Sequence, residues 1–303
     1  LIAHLLLSAP STGFRVYQVS PDTPCRAGGG VSVSRSGDSV VLENEFVRVG
    51  IGRDGSITSL VLKEANRELL SKPSNVLVAH VDKPGLWDAW DVEEDFLEQG
   101  EELEVEEPPR VVVEGPLVSC VEVSKRYRSS RVVQRICLYK GSPLVEVRTR
   151  FSWVDRGVLV KAWFWPSFDF SYVTYDVPYG AIERPAQANT SWEAAKYEVP
   201  ALRWADASDG EVGLAIIAPS RHGYTGLNGA LALSLIKAPV FPNPWSDVGE
   251  EETVYYIYPH RGSCAEAGVP LRAAEAMHPM VVVRGGSPGR ELSVVEVEPP
   301  VVL

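Results

Sequence analysis

Apolar and polar residues alternate with a period of two along most of this chain, the spacing that sends successive side chains to opposite faces of a strand. Stretches with helical spacing are nearly absent. The alternation is rich in β-branched residues and predicts strands over 39–51, 56–62, 75–81, 110–128, 131–138, 144–154, 158–164, 212–218, 231–236 and 252–258. Turn chemistry separates several of them: Arg53-Asp54-Gly55, Ser129-Ser130 and Lys140-Gly141-Ser142-Pro143 each fall between two alternating runs. Long successive strands with little helix to cover them predict an all-β protein of two large packed antiparallel sheets, with short flanking β segments, and not a small barrel.

Three segments interrupt the alternation. Residues 91–109 carry nine Asp and Glu side chains from Glu93 to Glu107, and self-repulsion favours a solvated acidic loop there over a metal site. Residues 178–203 form a long polar and aromatic connection, and 238–251, with Pro239, Pro242 and Pro244, form another. Long loops held by sheets are where function tends to sit. The expected division is a leading β segment or linker over 1–34, the main domain over 35–284, and a linker with the first strand of an incomplete small β unit over 285–303.

With 303 residues the chain can bury roughly three quarters of its unfolded surface, so a core without staples is expected. Its 29 basic and 40 acidic residues give a net charge of -11, which argues against nucleic acid or an anionic membrane as partner and suits a neutral ligand. Four cysteines without metal-type spacing suggest free thiols in a reducing compartment, although Cys120 and Cys137 can face each other across a hairpin. The apolar run from Leu1 to Leu7 is too short to span a bilayer, and the chain starts without Met, as an internal piece of a longer protein would.

The candidate chemistry begins at Trp87-Asp88-Ala89-Trp90-Asp91, where two indoles alternate with two carboxylates. Indole faces cover the C–H side of a pyranose and carboxylates accept from its hydroxyls; the plainer reading is a loop pinned by its indoles with its acids in water. Asp88 and Asp91 form a candidate carboxylate pair by composition alone, since glycoside hydrolysis needs two carboxyls flanking the scissile bond. Asn189, Trp192, Arg203 and Trp204 sit in the long connection, where they can bind sugar or anchor the loop; Asn189 also opens a glycosylation sequon. His80 and Asp82 share one strand face and could begin a metal site, but no spacing supplies further ligands. His260 ends a strand after three tyrosines, where a structural role is favoured.

Several motifs resemble one family, in order and in spacing. Asn44-Glu45-Phe46-Val47-Arg48-Val49 and Asp54-Gly55-Ser56-Ile57-Thr58-Ser59-Leu60 resemble the opening of the C-terminal β region of glycoside hydrolase family 38 α-mannosidases, and Trp87-Asp88-Ala89-Trp90-Asp91 resembles the signature of its cytosolic and vacuolar branch. The likeness continues through Gly180-Ala181-Ile182-Glu183-Arg184-Pro185, Asn189-Thr190-Ser191-Trp192, Arg203-Trp204-Ala205-Asp206 and Tyr258-Pro259-His260. Arg221-His222-Gly223 departs from the Lys-Tyr-Gly of relatives, and Tyr197 stands where Phe is common, which puts fine substrate specificity in doubt.

The resemblance implies a β-supersandwich like that of galactose mutarotase and a retaining, zinc-dependent hydrolysis of α-mannosides in the complete enzyme. It also implies that the zinc ligands and nucleophile lie in an upstream α/β domain, in the same or a separate chain, so no catalytic residue and no metal are assigned here. Trp87, Asp88, Trp90, Asp91, Arg184, Asn189, Trp192, Arg203, Trp204 and His260 are the candidates for meeting that domain or bordering its mannoside or oligosaccharide subsites. A cytoplasmic, membrane-free setting is expected, with self-association left open. The alternative is a stand-alone carbohydrate-binding or assembly module for a separately encoded catalytic chain; an aldose-epimerase-like enzyme is a third reading, for which no placed His and Glu pair is visible.

Overall fold

The alternating runs become strands because each can bury its apolar side and wet the other, and the computed structural model pairs them into sheets. It describes residues 5–10, 12–18, 29–285 and 289–293. Among these, every strand pairing is antiparallel. The chain is all-β, as expected.

A nine-stranded sheet runs in spatial order Gly180–Pro185, Tyr172–Val177, Trp204–Ser208, Val212–Ile217, Gly249–Arg261, Val145–Trp153, Ser130–Tyr139, Val118–Tyr127 and Glu104–Val113. A six-stranded sheet runs Val199–Pro200, Gly223–Leu227, Ala230–Lys237, Val158–Phe164, Val76–Val81 and Gly100–Glu102. A five-stranded sheet, Ser32–Ser36 through Arg67–Glu68, completes the body, and Gly13–Arg15 pairs with Glu291–Ser293 as a separate ribbon. One hydrophobic core joins all three large sheets, with Val49 and Leu60 from the five-stranded, Ile136, Phe151 and Ile257 from the nine-stranded, and Val160 and Leu233 from the six-stranded. Leu60, Ile136, Phe151, Val160 and Leu233 are fully buried. The helix Val269–Met277 packs Val269 and Ala273 over Trp204, Ala215, Ile217 and Tyr258.

Several boundaries differ from the expected ones for identifiable reasons. The run 39–51 is two strands, Ser39–Glu43 and Val47–Ile51, because Asn44 makes a turn. Its buried amide accepts from the backbone N–H groups of Phe46 and Val47, both at 2.9 Å, and donates to the carbonyls of Tyr139 and Ser142 at 2.9 and 2.8 Å. Asn44→Ala strands these four groups and is expected to cost about 2 kcal/mol, read as a lowered denaturant midpoint at unchanged slope.

The run 110–128 likewise breaks into Glu104–Val113 and Val118–Tyr127. Its first strand reaches back into the acidic stretch, since Arg126 on the adjacent strand and Arg131 on the one beyond it neutralise Glu104, Glu106 and Glu107. The connection 178–203 holds the strand Gly180–Pro185 and a one-turn helix, Ser191–Ala194. The expected boundary at 34 falls inside Ser32–Ser36. At the end of the described residues Glu291–Ser293 form a short strand that pairs with Gly13–Arg15, and most of the expected linker 285–289 and everything beyond Ser293 lie outside the described residues.

Free thiols were expected at Cys120 and Cys137, and this is corrected. The two are direct cross-strand partners with Cα atoms 4.2 Å apart, close enough to bond, and they form a disulfide. Cys264 is free, and Cys25 lies outside the described residues.

Candidate functional site

The loop that leaves the strand Val76–Val81 and returns at Gly100–Glu102 carries the paired indoles and carboxylates. Trp87 adopts a left-handed backbone (φ 61°), and its carbonyl accepts from the N–H groups of Trp90 and Asp91 at 2.8 and 2.9 Å. This tight turn puts both indoles on one side, edge to face, with centroids 6.0 Å apart.

Asp88 faces inward to the second loop, accepting from the N–H groups of Val240 and Phe241 at 2.7 and 2.9 Å. That clamp brings the Phe241 ring to 6.2 Å from Trp87. The same loop carries Trp245, under the Arg156 guanidinium at 4.6 Å. Trp87, Trp90, Phe241 and Trp245 are all more than half exposed. Trp87, Trp90 and Phe241, in ring contact and left in water, form an apolar surface built to be covered, and Trp245 is exposed on the same loop as Phe241.

Behind this surface lies a buried polar layer on the outer side of the six-stranded sheet. His80 is fully buried, with Nδ1 2.9 Å from the Phe96 carbonyl and Nε2 3.1 Å from the indole nitrogen of Trp163. A carbonyl only accepts and an indole N–H only donates, so the ring is the neutral Nδ1–H tautomer. Burial pushes its pKa down to about 4. Asp82 pairs with Lys237, whose ammonium also donates to the Asp91 carbonyl at 2.7 Å. Burial raises the Asp82 carboxyl against the pull of Lys237.

His80 and Asp82 are therefore committed to separate structural partners, and the pair does not fit a zinc ion. Among the described residues no group of three or more His, Cys, Asp or Glu side chains is placed to hold a metal.

Lys161 is the centre of the same layer. Its ammonium is fully buried, paired with Glu198, and donates to the Ser234 hydroxyl at 2.9 Å. Glu198 also accepts from Thr225 at 2.8 Å and from Ser234 at 2.5 Å. Burial lowers the Lys161 pKa and Glu198 opposes that shift. The pair fastens the loop before Val199 to the sheet, and Tyr197 in that loop donates to the Val92 carbonyl at 2.8 Å, joining it to the Trp-Asp loop.

Between these loops a cavity of about 810 Å³ opens beside Trp90. Glu198 and Ser234 line its floor, and Asp91, His222 and Asp247 line its rim.

The remaining expected residues are placed as follows. Arg184 lies over the Tyr175 ring at 4.8 Å. Asn189 precedes a helix capped by Thr190, whose capping box with Glu193 presents Trp192 to solvent. Arg203 is held in a two-point pair by Asp176, at 2.6 and 3.0 Å. Trp204 is buried beneath the helix Val269–Met277, and His260 is buried with Nε2 2.7 Å from Asp206. Trp87, Asp88, Trp90 and Asp91 thus come together, while Trp204 and His260 take no part in the exposed surface. Lys161, Glu198, Lys237, Phe241 and Trp245 belong to the site and were not anticipated.

Comparison with known proteins places these features in context. The profile described as the glycosyl hydrolases family 38 C-terminal domain matches residues 42–245. Alpha-mannosidase G of Dictyostelium discoideum is 32% identical over 282 residues, covering 87% of this chain and 26% of that protein. Alpha-mannosidase 2C1 of Mus musculus is 33% identical over 257 residues, covering 82% of this chain and 24% of the relative. The chain thus spans about a quarter of the length of these relatives. A solved α-mannosidase from Enterococcus faecalis V583 shares the fold, with TM-score 0.67 at 16% identity, over 79% of this chain and 31% of that one.

Proposed function

We propose that this chain, which belongs to glycosyl hydrolase family 38 and carries that family's C-terminal domain, serves an α-mannosidase as the non-catalytic β region that packs on the catalytic domain and completes the sugar site. In the complete enzyme the reaction is the retaining, zinc-dependent hydrolysis of terminal α-D-mannosides, with nucleophile and metal supplied upstream. The exposed aromatic surface of Trp87, Trp90 and Phe241 carries this reading, because the Asp88 clamp joins its two loops and leaves its rings facing water. Trp192 is likewise exposed on the connection 178–203, while Arg184 and Arg203 are engaged by Tyr175 and Asp176.

The contrast with the outer face of the nine-stranded sheet supports the assignment. There Glu122 gathers Arg110, Arg135 and Arg150, and Arg148 pairs with Glu252, a mosaic of compensated charge suited to water. The sparse cysteines suggest a reducing, cytoplasmic setting, and the Cys120–Cys137 bridge weighs against it.

The test is association with the upstream catalytic polypeptide of a family 38 α-mannosidase lacking its own C-terminal domain, followed by size exclusion and titration calorimetry. The unmodified chain is expected to form a complex, and Trp87→Ala and Phe241→Ala each to weaken it about tenfold, as truncation of central aromatic anchors does. Their melting temperatures should stay within a few degrees of the parent. Unweakened binding by both variants would refute the surface.

A further inference from the structure

The charges on the outer face of the nine-stranded sheet pair off, but their hydrogen-bond donors are not all used. Cross-strand register sets Ser124 between Glu107 and Val133, and Val133 beside Arg150. Two residues along, the next row reads Arg110, Glu122 and Arg135. Ser124 and Val133 are short side chains among long ones, so the face is dented over them. The edge strand Glu104–Val113 adds to the dent, because it runs from Arg110 to Glu107 where its neighbour runs only from Glu122 to Ser124, and the extra residue bulges at Pro108 and Pro109. A cavity of about 350 Å³ results, walled by Arg110, Arg131 and Arg150 with Glu107 and Glu122 between them.

The two carboxylates hold the guanidiniums in place. Glu122 accepts from Arg110 at 2.9 Å and from Arg135 at 3.1 and 2.7 Å, and Glu107 accepts from Arg131 at 2.8 Å. Arg131 also donates through Nε to the Ser124 hydroxyl at 2.9 Å. These bonds leave Nε and Nη1 of Arg110 and Nη1 of Arg131 with hydrogens to give. Arg150 has given none. Its ion pair with Glu122 is 3.8 Å long, and among the described residues its guanidinium donates no hydrogen bond, so its whole fork of N–H groups is unspent.

Unspent guanidinium donors ask for an anion rich in acceptors. Arg110 and Arg131 flank the Ser124 row from opposite sides and Arg150 closes its far end, so the donors converge from three directions. A tetrahedral oxyanion can meet all three, whereas a planar carboxylate fits one fork at a time. Three guanidiniums against two carboxylates leave the wall with positive charge in surplus, and both carboxylates are already engaged. The volume of about 350 Å³ lies at the lower end of small-molecule sites and leaves room beside the anion for a small organic group.

We infer that this cavity is a binding site for a phosphate group, free or at the end of a small phosphomonoester, held by the guanidiniums of Arg110, Arg131 and Arg150. It shares no residue with the exposed aromatic surface or with the cavity beside Trp90, and it does not rest on the proposed function.

The experiment is titration calorimetry of the 303-residue chain at neutral pH and constant ionic strength, with inorganic phosphate, glycerol 3-phosphate and acetate. Both phosphates are expected to bind about tenfold or more tighter than acetate, and the tighter of the two identifies the source of the group. Arg150→Gln should lose about tenfold for phosphate, the value of one charge-assisted contact, at an unchanged melting temperature, since that side chain makes no hydrogen bond of its own. Arg150→Lys keeps the charge without the fork and should recover only part of the loss. Arg126→Gln removes the same charge from the same face, outside the cavity, and should bind phosphate like the parent. Absence of phosphate binding, undiminished binding by Arg150→Gln, an equal loss in Arg126→Gln, or acetate binding as tight as phosphate would each overturn the site.

Discussion

Replacing Lys161 by methionine is expected to destabilise the fold by about 3–5 kcal/mol, the cost of leaving a buried charge without its partner. Lys161 is fully buried, and its partner Glu198 lies on a loop, pinned there with Ser234 and Thr225. In the Lys161→Met variant Glu198 must either take up a proton or leave for water, and the loop carrying Tyr197 goes with it. The double variant Lys161→Met, Glu198→Gln removes both charges and should recover most of the loss, since a buried pair contributes little against a neutral replacement. Urea unfolding of the two variants against the parent measures this. A single-variant loss below about 1 kcal/mol would show that the pair is solvated and does not fasten the loop.

The second large effect is a loss of stability with falling pH that originates at His80. Its folded pKa of about 4 lies below the ordinary 6.5, because burial penalises the imidazolium and the Trp163 indole occupies Nε2. Above pH 6.5 the ring is neutral in both folded and unfolded chains, and its contribution is fully present. As the pH falls from 6.5 to about 4 the unfolded chain takes up a proton that the folded chain refuses, so stability declines across that window. At about 1.4 kcal/mol per tenfold in proton affinity, the decline from this one group approaches roughly 3 kcal/mol. His80→Gln has no such titration, so the difference in unfolding free energy between parent and variant should shrink across that window as the pH falls. A difference that stays constant from pH 7 to 4 would contradict the buried neutral ring.

Much of the fold was legible because its cause is local. Val145–Trp153 and Val158–Phe164 lie almost where the alternation put them, since each buries one side in the shared core. The strand ends that escaped notice depend on residues far away in sequence: Asn44 turns the chain by reaching Tyr139 and Ser142, and Glu104–Val113 pairs because arginines on later strands cancel its charge.

The site divides in the same way. The paired indoles and carboxylates of 87–91 announce themselves by composition, but that Asp88 is a backbone clamp and Asp91 a cavity wall follows from a loop some 150 residues later. Trp204 and Trp192 read alike in sequence, and only packing under the helix Val269–Met277 separates a core indole from an exposed one. Lys161 left one trace: it is the sole charge in Val158–Phe164, and a strand that buries an ammonium must hide a carboxylate opposite it. No spacing pointed to Glu198, because its partners lie on three different segments.

Hydrolysis of an aryl α-mannoside, by the 303-residue chain alone and after mixing with an upstream catalytic polypeptide of the family, tests the central claim most directly. With zinc or with chelator the chain alone should be silent, and mixing should give hydrolysis that neither polypeptide shows separately and that Trp87→Ala diminishes. Chelator-sensitive hydrolysis by the chain alone would contradict the account, because it would place a complete metal-dependent site within these residues.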